Sequence, residues 1–168
     1  MSVRPRQDIE TFAVHEDNGD MAALVAICLK TGMVSVSCPH HHELNGMHYW
    51  THHGRKSLWQ FIAEQAQDRS YVIGKLFGSN ELKEFDVDET LNDIHRHIIE
   101  QRRRDGMTKE VAHELWHDAE NCESPDDFAR LDINEAYDFI RYEYKPCIDW
   151  FWTQVWCKFI DFAKTKVE

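Results

Sequence analysis

From residue 9 the apolar positions follow a period of two. "IETFAVH" (9–15) alternates, "EDNGD" has the composition of a turn, and "MAALVAICLK" (21–30) is an apolar run bounded by Thr31-Gly32. "MVSVSC" (33–38) and "MHYWTHH" (47–53) continue the strand-like pattern. The loop "PHHHELNG" lies between them and closes on Asn45-Gly46, a strong turn signal. Short alternating or apolar runs separated by turn residues predict about four antiparallel strands over 9–53.

After Gly54 the period lengthens. In "KSLWQFIAEQ" (56–65) Leu58, Phe61 and Ile62 recur at helical spacing behind a capping Ser57. "SYVIGKLFG" reads as a short helix ended by Gly78. In "DVDETLNDIHRHIIEQRRRDG" the residues Leu91, Ile94 and Ile98 share one face. Asp86, Asp88 and Glu89 sit at its N-terminal end and Arg102 to Arg104 at its C-terminal end, which matches the helix dipole. Gly106 stops that helix, and Thr108 caps the next one, which runs to about Asn121. Ser124-Pro125 opens a short helix, and "INEAYDFIRY" (133–142) reads as another. After Pro146 comes a last helix, on which Ile148, Phe151, Val155, Phe159 and Phe162 form the buried stripe.

The expected fold is α+β: an N-terminal antiparallel sheet of about four strands followed by several helices packed on one face. No repeat or linker divides the chain, so a single domain over 1–168 is expected. Within it, 1–8 are expected to be flexible, 9–53 mainly strands and 56–166 mainly helices. A chain of 168 residues buries a sizeable core without disulfides.

Charge changes this picture. With 30 acidic against 19 basic side chains the formal net charge is -11, which argues against direct nucleic-acid binding. An acidic surface suits solubility, or a partner with a basic face. The five cysteines are scattered and make no C-x-x-C pair, which predicts reduced thiols. No apolar h-region opens the chain, and it contains no apolar run of 18 residues. Together these predict a cytoplasmic protein without a membrane contact.

The sharpest motif is His113-Glu114-Leu115-Trp116-His117, an H-E-x-x-H. On a helix, residues four apart share a face, so His113 and His117 can hold one metal ion while Glu114 serves as general base to a bound water. A third ligand is available downstream in "INEAYDF", at Glu135. The segment "VAHELWH…INEAYD" resembles the active site of the thermolysin-like zinc peptidases. That resemblance implies zinc held by His113, His117 and Glu135, Glu114 as the catalytic base, and Asp138 orienting a ligand histidine. The plainer reading is a surface helix with a buried stripe of Val111, Leu115, Trp116 and two alanines. It needs no cofactor. A second cluster, Cys38, His40 to His42, His48, His52 and His53, has the side chains of a metal site but not the spacing of a known one.

A broader resemblance spans most of the chain. The order of "GMHYWTHHGRKSLWQFI", "SYVIGKLFG", "FDVDETLNDIHRHIIEQRRRDGMTKEVAHELWHDAE" and "YEYKPCIDWFWTQVWCKFID" resembles a group of small uncharacterised phage and prophage proteins. It implies an accessory phage protein expressed in the bacterial cytoplasm, where inhibitors of host or defence machinery are common. With the acidic charge and the surplus aromatic surface, the expectation is a protein that binds and inhibits a host or defence protein, a nucleic-acid-binding complex among the candidates. The aromatic residues of the last helix cover more than half of its circumference, so Trp150 and Trp152 are candidates for meeting a partner or a second copy. Glu120, Asp126 and Asp127, from the acidic helices over 108–142, are the matching charged candidates.

Overall fold

The computed structural model describes residues 8–64, 66–78, 82–104 and 106–167. The fold is α+β, opening on a four-stranded antiparallel sheet as its alternating pattern predicts. The strands are β1 (Glu10–His15), β2 (Met21–Cys28), β3 (Met33–Ser37) and β4 (Asn45–Tyr49), in the order β1-β2-β3-β4. The chain then divides into two compact units. The first joins 1–82 to 144–168, and the second comprises 83–143. No composition shift announces the division, which is why the hydrophobic pattern reads as one domain.

In the first unit, one face of the sheet is buried under helices. Val25 and Ile27 from β2 and Val34 and Val36 from β3 are inaccessible, as are residues of α1 (Leu58–Glu64) and α2 (Arg69–Leu76) in the same core. Ser57 caps α1 through the Gln60 N–H at 3.1 Å. Asp68 caps α2 through the Tyr71 N–H at 3.0 Å. The expected turn at Asn45-Gly46 is instead the start of β4, with Gly46 opposite Val36. A side chain at Gly46 would collide with the Leu76 carbonyl and the Phe77 ring. The glycine is there because α2 ends against the strand, a close approach that only a missing Cβ permits.

The last helix completes this unit. It begins with Pro146 at the first turn of α6 (Pro146–Trp150), widens into a π-helical turn over Phe151–Trp156, and resumes as α7 (Cys157–Lys164). A π turn inserts one residue and rotates the stripe that follows it. Phe151, Val155, Trp156 and Phe159 are therefore all buried, while Phe162 is half-buried. The Trp156 indole N–H donates to the Ala66 carbonyl at 2.9 Å, which satisfies its only polar atom. Cys38 lies in this core, and burial pushes its thiol up to about 12.

The second unit has its own buried cluster. It contains α3 (Val87–Arg103), α4 (Lys109–Glu120), α5 (Pro125–Ala129) and a 3-10 turn, Ala136–Phe139, around Ile94, Ile98, Leu115, Ala119, Phe128, Ile133 and Ala136. Thr108 caps α4 as expected, accepting from the Val111 N–H, and Asp86, expected only as a charge at the helix N-terminus, also caps α3 through the Glu89 N–H. Ser124 and Asp127 form a reciprocal capping box.

The expected helix over 133–142 does not form. Glu135 adopts a left-handed conformation with φ 57°, and β6 (Arg141–Tyr144) pairs with β5 (Lys83–Asp86) in a two-stranded sheet. Tertiary contacts override local propensity there. The Arg141 N–H donates to the buried Thr90 hydroxyl at 2.9 Å, and its guanidinium holds Asp93 on α3. Among the described residues no helix is long and apolar enough to cross a membrane. The flexibility expected for 1–8 falls almost wholly outside the described residues.

Candidate functional site

Among the described residues a concavity lies within the second unit, between α3 and α4. It encloses about 670 Å³, a volume within the usual range for ligand and peptide sites. Ile98 and Ile99 of α3 and Ala112 and Trp116 of α4 line it, with Arg102, Arg103, Lys109, His113, His117 and Glu120 around them. The apolar lining follows from sequence arithmetic. Ile98 is in register with the buried Ile94, so Ile99 stands about 100° around the helix and remains 40% exposed. Leu115 is likewise buried, which leaves its neighbour Trp116 facing the groove. Each helix thus spends one apolar residue on the core and offers the next to the groove.

Trp116 is held by two neighbours. Its indole lies parallel to the His95 imidazole, with ring centroids 3.4 Å apart and planes 3° apart. Its N–H donates to the Glu120 carboxylate at 2.9 Å. The other Glu120 oxygen is 3.3 Å from His117 Nδ1. Burial pushes the His95 pKa below the usual histidine value, against the smaller opposing pull of the Glu120 charge. His95 is thereby favoured as the neutral ring that stacks on the indole.

At the opposite end of the groove, where α3 ends and α4 begins, stand Arg102, Arg103 and Lys109. Arg102 donates to the Met107 carbonyl at 3.3 Å. Among the described residues none of the three lies within ion-pairing distance of a carboxylate. The basic triplet at 102–104 reads from sequence as a complement to the helix dipole, and two of its members also flank this groove.

The residues of the H-E-x-x-H motif do not converge with their expected third ligand. His113 and His117 are neighbours on α4, with ring centroids 4.6 Å apart, and both line the groove. Glu114 is exposed. Glu135 and Asp138 line a different concavity, together with His97 and Asp132. Among the described residues no group of three or more His, Cys, Asp or Glu side chains is arranged to hold a metal ion. The same holds for the histidine-rich segment. Cys38 is buried in the core, His41 packs on Trp150, His48 meets the edge of Trp50, and His53 packs on Phe61.

The aromatic and acidic candidates are dispersed. Trp150 is half-buried in the first unit, where its indole N–H donates to Glu16 at 3.1 Å. Trp152 lines a shallow depression with Gln67, Cys157 and Ile160. Glu120 is exposed, but both its oxygens are engaged at the groove, and Asp126 is exposed on α5. Asp127 closes the capping box, and the hydrogen bond from Ser124 holds its carboxyl below the usual range. The groove residues Ile99 and Lys109 carry no sequence motif. The available signal is the doubled apolar pairs, Ile98-Ile99 and Leu115-Trp116, each spanning more than one helix face.

A family model described as a phage family matches residues 1–163. No curated protein and no solved structure matches the chain at a significant level.

Proposed function

Because the chain belongs to this phage family, we propose that it is a phage accessory protein that works in the bacterial cytoplasm by binding a host or defence protein and blocking it. The observation that carries the reading is the groove between α3 and α4. It keeps Trp116 and Ile99 partly open to solvent, and Trp116 is rigidly seated by His95 and Glu120. A preorganised aromatic beside aliphatic surface is the usual anchor of a protein-binding hot spot, because little side-chain entropy remains to be lost on binding. The acidic surface, including Asp126, then sets which partners approach rather than how tightly they hold.

Affinity purification from lysate of the host bacterium tests this. One bacterial protein is expected to co-purify in stoichiometric amount with the chain immobilised on a matrix. Ile99→Asp should reduce its recovery by about tenfold or more, while a Trp150→Ala/Trp152→Ala variant retains it. Failure of the wild-type chain to retain any protein at low salt would overturn the reading. Loss confined to the Trp150/Trp152 variant would move the interface to the C-terminal helix.

A further inference from the structure

Resting on that reading, we infer that the groove between α3 and α4 takes an amphipathic helix of a partner protein, acidic at the end that meets Arg102, Arg103 and Lys109. The shape argues for a helix. The walls are two helices joined by a short connection, and the small Ala112 between Trp116 and Lys109 lets a third backbone approach to ordinary helix-packing distance. From Lys109 to Glu120 the groove spans roughly 16 Å at 1.5 Å per residue, room for about three turns. Its lining of Ile98, Ile99, Ala112 and Trp116 calls for apolar anchors at i, i+3/i+4 and i+7, as in helix-in-groove recognition.

Charge gives the occupant its polarity. Three cations gather at one end and lack a carboxylate partner among the described residues, although the chain as a whole carries -11. At the other end the Glu120 carboxylate is already used by Trp116 and His117. An approaching segment is therefore rewarded for carboxylates, or for its own C-terminal dipole end, at Arg102, Arg103 and Lys109. The overall negative charge is screened beyond about 8–10 Å at ordinary salt, so the local cations decide the contact. A second copy of this chain is the poorer occupant. Its α4 and α5 already commit Leu115 and Phe128 to the second unit's own core, and among their described residues only Val111 is a large exposed apolar side chain, too few for anchors at i, i+4 and i+7.

The test uses the full chain and three synthetic helical peptides of about fourteen residues. One has leucines at i, i+4 and i+7 and glutamates in its last turn. The second replaces the glutamates with lysine, and the third replaces the leucines with serine. Titration calorimetry and amide-resonance shifts are the readouts. The acidic amphipathic peptide is expected to bind about tenfold or more tightly than either control and to shift Ile99, Ala112 and the Trp116 indole. Arg102→Glu/Arg103→Glu, at exposed positions that leave the fold intact, should invert the preference between the acidic and lysine peptides. Equal binding of the acidic and lysine peptides, or shifts mapping outside α3 and α4, would overturn the inference. So would concentration-dependent dimerisation that the arginine reversal abolishes, since it would assign the groove to a second copy. Should the peptide fail while Ile99→Asp still loses the bacterial partner, the accessory-protein reading stands and only the acidic-helix occupant falls. Should the peptide bind while no bacterial protein is captured, the groove assignment stands without that target.

Discussion

The stacked pair His95 and Trp116 joins α3 to α4 through one neutral imidazole. Burial lowers the His95 pKa, so the folded state disfavours the protonated ring. The linkage sign follows from that direction. The stabilising contribution is complete above the unfolded value near 6.5 and is lost as pH falls below it toward the depressed folded value. Melting temperature is therefore expected to drop between pH 7.5 and pH 5.5, and His95→Phe should flatten that drop. Part of the slope will survive in the variant, because burial depresses His48 in the same direction. A profile identical to wild type would remove His95 as the titrating group. At His113 and His117 the expectation concerns metal. With no third ligand assembled among the described residues, tag-free protein should hold well under one zinc per chain. Chelator treatment should leave its melting temperature unchanged within about 1 °C, since a structural zinc contributes far more than that.

At the scale of elements, the caps carried most of the information. Ser57, Thr108 and Ser124 each accept the N–H three residues on, and each marks the start of its helix correctly in sequence. A cap is a local contract between a short polar side chain and its own backbone, so local sequence suffices to reveal it. The segment 133–142 was illegible for the opposite reason. What holds β6 in place is Arg141, which reaches Thr90 and Asp93 about fifty residues away. Asp93 is nearly buried and is also held by Arg96 at 2.6 Å, so Asp93→Ala removes the side-chain anchor of Arg141 on α3 and leaves only the backbone bond to Thr90 there. A loss of about 2 kcal/mol in urea unfolding is expected, discounted from a fully buried pair because the Arg141 side chain is partly exposed. Arg96→Ala should cost well under half as much, since that side chain lies mostly in solvent.

For the molecule as a whole, the decisive feature is where the chain leaves the first unit and where it returns. Leu82 and Lys145 are bridged by a backbone hydrogen bond of 3.0 Å, and Leu82 is buried in the first unit's core. The ends that would have to be joined are therefore already adjacent. Replacing 83–143 with a short glycine-serine linker should leave the first unit folded, because closing a short loop between neighbouring ends costs little entropy. Retained near-ultraviolet circular dichroism from buried Trp156, with a single cooperative melt, is the expected result. A molten, dye-binding product would show that the first unit depends on the second for its stability.

Periodicity, caps and turn glycines were enough to determine the α+β class, the four strands, and the starts of α1, α3, α4 and α5. Those signals act over a few residues, and a single sequence displays them. The division into two units, the strand start at Gly46, the π-helical turn that buries Trp156 and the groove beside Trp116 were decided only in three dimensions. Each depends on residues far apart in the chain: Gly46 on Leu76, Trp156 on Ala66, and β6 on Thr90 and Asp93. Trp116 depends on His95, whose ring is brought against it only once the two helices pack. No local propensity encodes such pairings, because the free energy that selects them appears only when both partners are in place.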